Sequence, residues 1–97
     1  MIVAAAQITM LIHGNNSLKG KRQVVRSLIE KVRHRFGVAI AEVDSQDKWQ
    51  RAELGLAVVG NDEKLLSKRV DQVMNFMENQ HLAEIIDSHL EMVHLEK

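Results

Sequence analysis

Ninety-seven residues leave room for one domain and not for a second. Thirteen Lys and Arg balance thirteen Asp and Glu, and 45% of the residues are apolar, a globular mixture rather than a disordered one. The absence of Cys excludes a disulfide framework, a thiolate nucleophile and a Cys-based zinc site, and the absence of Pro excludes cis-prolyl turns.

The apolar start, Met1 to Ile12, carries no basic leader and is interrupted by Gln7 and Thr9. It is also shorter than the roughly 20 apolar residues that span a bilayer. It reads as a buried strand, and a cytoplasmic protein with no membrane association is expected. Ile2, Ala4, Ala6, Ile8, Met10 and Ile12 share one face at a period of two. His13-Gly14-Asn15-Asn16 forms a turn, because Gly and Asn tolerate positive φ.

Ser17 then caps a helix predicted over Leu18 to Phe36, whose apolar stripe is Leu18, Val25, Leu28, Ile29, Val32 and Phe36. Gly37 is placed to close it in the left-handed conformation. Val38 to Val43 and Trp49 to Val59 read as two strands of an antiparallel hairpin joined by Asp44-Ser45-Gln46-Asp47-Lys48. Asn61 or Asp62 opens a second helix with the stripe Leu66, Val70, Val73 and Met77. The last strand spans Ile85 to Leu95, with Ile86, Leu90 and Met92 expected on one face and Asp87, His89 and Glu91 on the other. Strand, helix, strand, strand, helix, strand is the order of an α+β, ferredoxin-like βαββαβ plait. Its four-stranded antiparallel sheet carries two helices on one face, and the plait takes up residues 1–97 as one domain.

Four segments carry a family likeness: Ser17-Leu18-Lys19-Gly20-Lys21-Arg22, Phe36-Gly37-Val38, Ala41-Glu42-Val43 and Gln50-Arg51-Ala52-Glu53-Leu54-Gly55. In these the chain resembles the YlxP-like family of small bacterial proteins, over essentially its whole length. The resemblance implies the same fold and no established activity. Members are often encoded beside translation initiation and ribosome-maturation factors, which implies a connection to the ribosome or RNA. Where the family usually has Glu, this chain has Gly20, which forgoes the capping box with Ser17 and is expected to loosen the first turn.

The zero net charge conceals a polarity. Residues 1–51 carry nine cations and four acids, and residues 52–97 the reverse, so the halves stand at +5 and −5. Seven cations (Lys19, Lys21, Arg22, Arg26, Lys31, Arg33 and Arg35) lie on the first helix against the single acid Glu30. On a helical wheel Lys19, Arg22, Arg26 and Arg33 fall within about 60° of one another. Ser17, Lys19, Lys21, Arg22, Arg26 and Arg33 are therefore the expected phosphate or RNA contacts, with ribosomal RNA or the ribosome as partner. The alternative for these cations is a solvated face paired with acids of the second half.

Other chemistries find less support. The exposed sheet face lacks the stacking aromatics of RNA-reading plaits, since Phe36, Trp49 and Phe76 are the only aromatics. Its residues Val3, Ala5, Leu11, Gly55, Ala57, Val93 and Leu95 are small and partly apolar, which suits a homodimer formed through the open face. Glu42, Asp44, Asp47, Glu53 and Arg51 gather at the hairpin beside Trp49, with Glu42, Asp44, Trp49 and Arg51 as a possible site for an ion or acid–base work, although hairpin ion pairs and turns account for them without one. The five His residues lack metal-ligand spacing, and no phosphate-cradling loop or nucleophile triad is present. A binding protein without metal or cofactor is expected, not an enzyme.

Overall fold

The computed structural model describes residues 1–96. Its elements are β1 (Ile2–Leu11), α1 (Leu18–Phe36), β2 (Ala39–Asp44), β3 (Arg51–Gly60), α2 (Glu63–Glu78) and β4 (Glu84–His94). The sheet order is β2-β3-β1-β4 with every neighbouring pair antiparallel, which is the ferredoxin-like plait.

The period-two reading of β1 holds. Ala4, Ala6, Ile8 and Met10 are buried against the helices together with Ile40, Ala52, Leu54 and Leu56. The helices close this layer with Val25, Leu28 and Val32 from α1 and Leu66, Val70, Val73 and Met77 from α2. Phe36 and Phe76 meet edge-on at 5.4 Å where the two helices approach. Arg69 of α2 stacks on the Phe36 ring, and its Nη2 donates to the Phe36 carbonyl at 3.1 Å, so the end of α1 is fastened to α2.

Local signals set the helix ends. Asp62 accepts from the backbone N–H groups of Lys64 and Leu65, which settles the cap of α2 in favour of Asp62 over Asn61. Gly37 sits at φ 64° and donates its N–H to Arg33 O at 2.9 Å, the left-handed stop that its missing Cβ makes cheap.

The start of α1 differs from the expectation of a loosened turn. Ser17 Oγ accepts from Gly20 N at 3.0 Å, and the turn is formed. Glycine at position 20 has a tertiary consequence: a Cβ there would overlap Asn15 Oδ1, so the Asn15 side chain would have to shift. The Asn15 amide lies across the helix entry and donates to the carbonyls of Ser17 and Trp49, which joins the β1–α1 loop to the hairpin.

The reading of β4 is corrected. A register shift opposite Thr9 and Met10 turns Ile85, not Ile86, toward the core, and Ile86 stands 44% exposed. Leu90 keeps the core-side register opposite Ala6 but remains 38% exposed, because β4 is an edge strand that the helices only partly cover. Met92 does pack against the core.

Gly20→Ala gains about 1 kcal/mol of helix propensity but displaces the Asn15 amide. We expect it to be neutral or destabilising in the native background and stabilising by about 1 kcal/mol in an Asn15→Ala background, as read by urea denaturation of the four variants.

Candidate nucleic-acid interface

The seven cations of α1 separate into groups once the helix is seated. Lys21 shares the inward phase of Val25, Leu28 and Val32 and is 1% exposed. Its ammonium lies 2.9 Å from Glu42 Oε2 on β2 and also donates to the Ser45 carbonyl in the hairpin. Taking an ammonium out of water is costly, and the ion pair with its hydrogen bond offsets that cost. Lys21 is therefore corrected from an outward phosphate contact to an internal anchor.

Two more cations touch their own chain while remaining exposed. Arg33 Nη2 donates to Ile40 O at 2.8 Å and so covers a β2 carbonyl. Arg35 lies over the Phe76 ring at 5.3 Å and the Phe36 ring at 5.9 Å.

Lys19, Arg22, Arg26 and Lys31 are exposed, and none has a carboxylate within 4.0 Å among the described residues. The proposed neutralisation of the α1 cations by acids of the second half is thus absent at ion-pair distance among the described residues. Lys19, Arg22 and Arg26 fall at i, i+3 and i+7 on one side of the helix, whereas Lys31 points elsewhere. Arg22, Arg26 and Arg33 line a shallow groove of about 420 Å³ between α1 and β2, in which Glu30 and Glu42 also take part. Ser17 is committed to capping.

The hairpin residues do not converge. Glu42 faces Lys21, Asp44 accepts from its neighbour Ser45 N at 2.7 Å, and Arg51 reaches Glu53 at 3.7 Å. Trp49 is 53% exposed, and its carbonyl receives Asn15. Each group serves the loop's own structure. Glu53, also expected at the hairpin, accepts from Thr9 across the sheet and from Ser45 Oγ at 2.8 Å. Ser45 has φ 61°, a left-handed backbone that costs a non-glycine residue about 1 kcal/mol. Its bonds to Lys21, Asp44 and Glu53 hold it there.

Residues 3–90 match the model of the family described as "Protein of unknown function (DUF503)". The chain belongs to that family. It is 31% identical over 78 residues to "Uncharacterized protein YlxP" of Bacillus subtilis (strain 168), covering 80% of this chain and 85% of the relative. The resemblance carried by the motifs at Ser17 and Gln50 is therefore confirmed. Among solved structures the de novo designed protein Foldit4 superposes with a TM-score of 0.52 at 8% identity, covering 99% of this chain and 100% of the design. At that identity the likeness concerns the fold alone. No helix among the described residues is long and apolar enough to cross a membrane.

Glu42→Gln leaves the Lys21 ammonium enclosed without a counter-charge. We expect a loss of about 2–4 kcal/mol, below the full cost of breaking a buried pair because Glu42 keeps some solvent contact. Lys21→Met with Glu42→Gln should cost clearly less than the two single changes together. Arg22→Met should stay within about 0.5 kcal/mol of the native protein. Guanidinium unfolding of these variants checks all three expectations.

Proposed function

We propose that this protein is a polyanion-binding module that holds the phosphate backbone of RNA, ribosomal RNA being the partner of choice, along the exposed row Lys19, Arg22 and Arg26, with Arg33 at its far end. The observation that carries the reading is that the first three cations lie side by side in solvent with no acid at ion-pair distance among the described residues. A free cation row in water gains most from a ligand that brings several negative charges at once, because each neutralised phosphate releases a condensed counterion. At 1.5 Å rise per residue, Lys19 to Arg33 covers about 21 Å, long enough to follow several phosphates.

Two features support phosphate over carboxylate as the ligand. Arg22 and Arg26 offer forked donors suited to phosphate oxygens. The row also begins at the second residue of α1, within its first turn, where the helix dipole adds positive potential. Base stacking plays no part in this reading, since the sheet offers no aromatic platform. Binding should therefore be tolerant of sequence and set by charge and shape. The encoded neighbourhood of YlxP-like proteins, beside ribosome-maturation factors, points to the same class of ligand.

Filter binding to single-stranded and ribosomal RNA over a salt series tests the reading. Three or four phosphate contacts correspond to a log–log salt slope of about −2 to −3. Arg22→Ala should reduce the slope by about 0.7, and the Lys19→Glu, Arg22→Glu, Arg26→Glu triple variant should not bind. Binding that is absent in the native protein, or independent of salt, overturns the proposal.

A further inference from the structure

The sheet has two free edges, and they differ. On β2 the Arg33 guanidinium already donates to Ile40 O, and pairing with β3 shifts between Glu42 and Asp44. β4 is eleven residues long, carries no Lys or Pro to discourage pairing, and is exposed along most of its length. Its bonding phase follows from its end. Leu95 N donates to Met1 O at 2.8 Å, and Leu95 O accepts from Met1 N at 3.1 Å, so the odd-numbered residues of β4 exchange their bonds with β1. Leu90, Met92 and His94 therefore direct their N–H and C=O groups outward. Ser88 does the same, and its N–H donates to the neighbouring Asp87 Oδ1 at 2.9 Å.

We propose that the β4 edge is an interaction surface for a second copy of this chain. The two β4 strands pair antiparallel about a two-fold axis at Leu90 and join the two four-stranded sheets into one. Charge and register select that axis. Partners in an antiparallel ladder share the same bonding phase, so the axis passes through a single residue. At His89 it would set Asp87 directly opposite Glu91 of the second copy, and at Glu91 the two Glu91 side chains would face each other. At Ser88 it would run Leu90 of the second copy into the irregularity at Ile86, where pairing with β1 shifts. At Met92 it would leave only Leu90 to His94 paired. At Leu90 every opposed pair from Asp87 to Val93 lies in the regular part of the strand, and His89 stands opposite Glu91 of the second copy on both sides of the axis.

In this register Leu90 N–H and C=O exchange bonds with their counterparts across the axis, and Met92 N–H donates to Ser88 O of the second copy. The ladder forms without rearrangement, and it lengthens once Asp87 turns away from the Ser88 N–H. His89 and Glu91 already lie 3.1 Å apart within one strand, so the four side chains of the dimer alternate imidazole and carboxylate around the axis. On the helix side the half-exposed Leu90 side chains meet each other.

The open face, expected from the sequence as the dimer surface, is less suited to it. Its rows Ala39-Ala57-Ala5 and Ala41-Gly55-Gln7 are small, but Asp44, Glu53, Thr9 and Asp87 form the next row, where a sheet laid over it about an axis along the strands would set acid on acid. Edge pairing keeps these acids in solvent. It also leaves both copies of α1 beside the outer β2 margins, so Lys19, Arg22 and Arg26 stay free.

The interface is narrow, so association in the micromolar range is expected, and sedimentation equilibrium over a concentration series reads it. Hydrogen exchange locates it: the amides of Leu90 and Met92 should gain protection as concentration rises, whereas those of Glu91 and Val93, bonded to β1, should be protected throughout. Leu90→Pro removes only an outward N–H and should raise the dissociation constant at least about 30-fold while the circular dichroism spectrum remains native. Should that variant lose its spectrum, Leu90→Lys decides instead: it sets two like charges at the axis and should leave the chain monomeric. His89→Glu should weaken association about tenfold, and adding Glu91→His should restore it. The Lys19, Arg22, Arg26 triple variant should dimerise like the native protein, so failure of the RNA reading would leave this result standing. A native chain that stays monomeric, a dimer that survives the change at Leu90, amide protection that ignores concentration, or an exchange that does not restore association overturns the proposal. In the first case the edge would belong to an extended segment of another protein.

Discussion

The contact on which the rest of the molecule depends is the enclosed ion pair between Lys21 and Glu42. It is made where α1 begins and where β2 approaches its hairpin, so it sets both how α1 is rotated and how it is seated over the β2 side of the sheet. An ammonium removed from water tolerates little displacement from its carboxylate, because Coulomb attraction must replace its lost hydration. With Lys21, Val25, Leu28 and Val32 turned inward, the geometry of the helix leaves Lys19, Arg22 and Arg26 no course but outward. The structure that hides one cation is what presents three others.

The same region shows how loops that look unremarkable in sequence come to act as one unit. Asn15 spans from the first loop to Trp49, Gln50 Nε2 returns a bond to Asn15 O, and Ile12 N donates to Gln50 O. Lys21 and Glu53 complete the cluster by holding Ser45 in its left-handed conformation. Glu42, Asp44 and Glu53 are absorbed in this work, which is why they form no shared pocket. A carboxylate already committed to a neighbouring ammonium or backbone N–H is poorly placed to serve as a general base or an ion ligand as well.

Much of the fold was legible because burial and periodicity coincide where local rules dominate. Ser17, Gly37 and the α2 stripe Leu66, Val70, Val73 and Met77 each follow from a spacing or a cap visible in a few residues. Lys21 was legible too, since positions 21, 25, 28 and 32 fall on one helical stripe. It was assigned outward because lysine is almost never fully buried without a partner, and its partner lies 21 residues away on another element. Gly20 and Ile86 were beyond local reading. The first is fixed by contact with Asn15 and the second by an irregularity in strand pairing, and neither leaves a periodic trace. The open face was only half read, because the contribution of Ala39, Ala41, Val43 and Val59 emerges when the register sets them beside Gly55 and Ala57.

The opposite charges of the two halves of the chain acquire a spatial meaning through the topology. The plait interleaves its halves, so β3 and β1 meet in the middle while β2 and β4 are left at the margins. The basic excess of the first half gathers where α1 lies over β2, and part of the acidic excess of the second half gathers on β4. A charge difference along the sequence thus becomes one across the sheet, between two edges separated by the width of four strands. On a single copy such a dipole brings little stability, since the charges are too far apart and too well screened to attract one another. Its consequence is local: apart from Glu30 and Glu42 in the groove beside α1, the acids of the chain lie away from the exposed row Lys19, Arg22 and Arg26, which is left with a net positive potential in solvent.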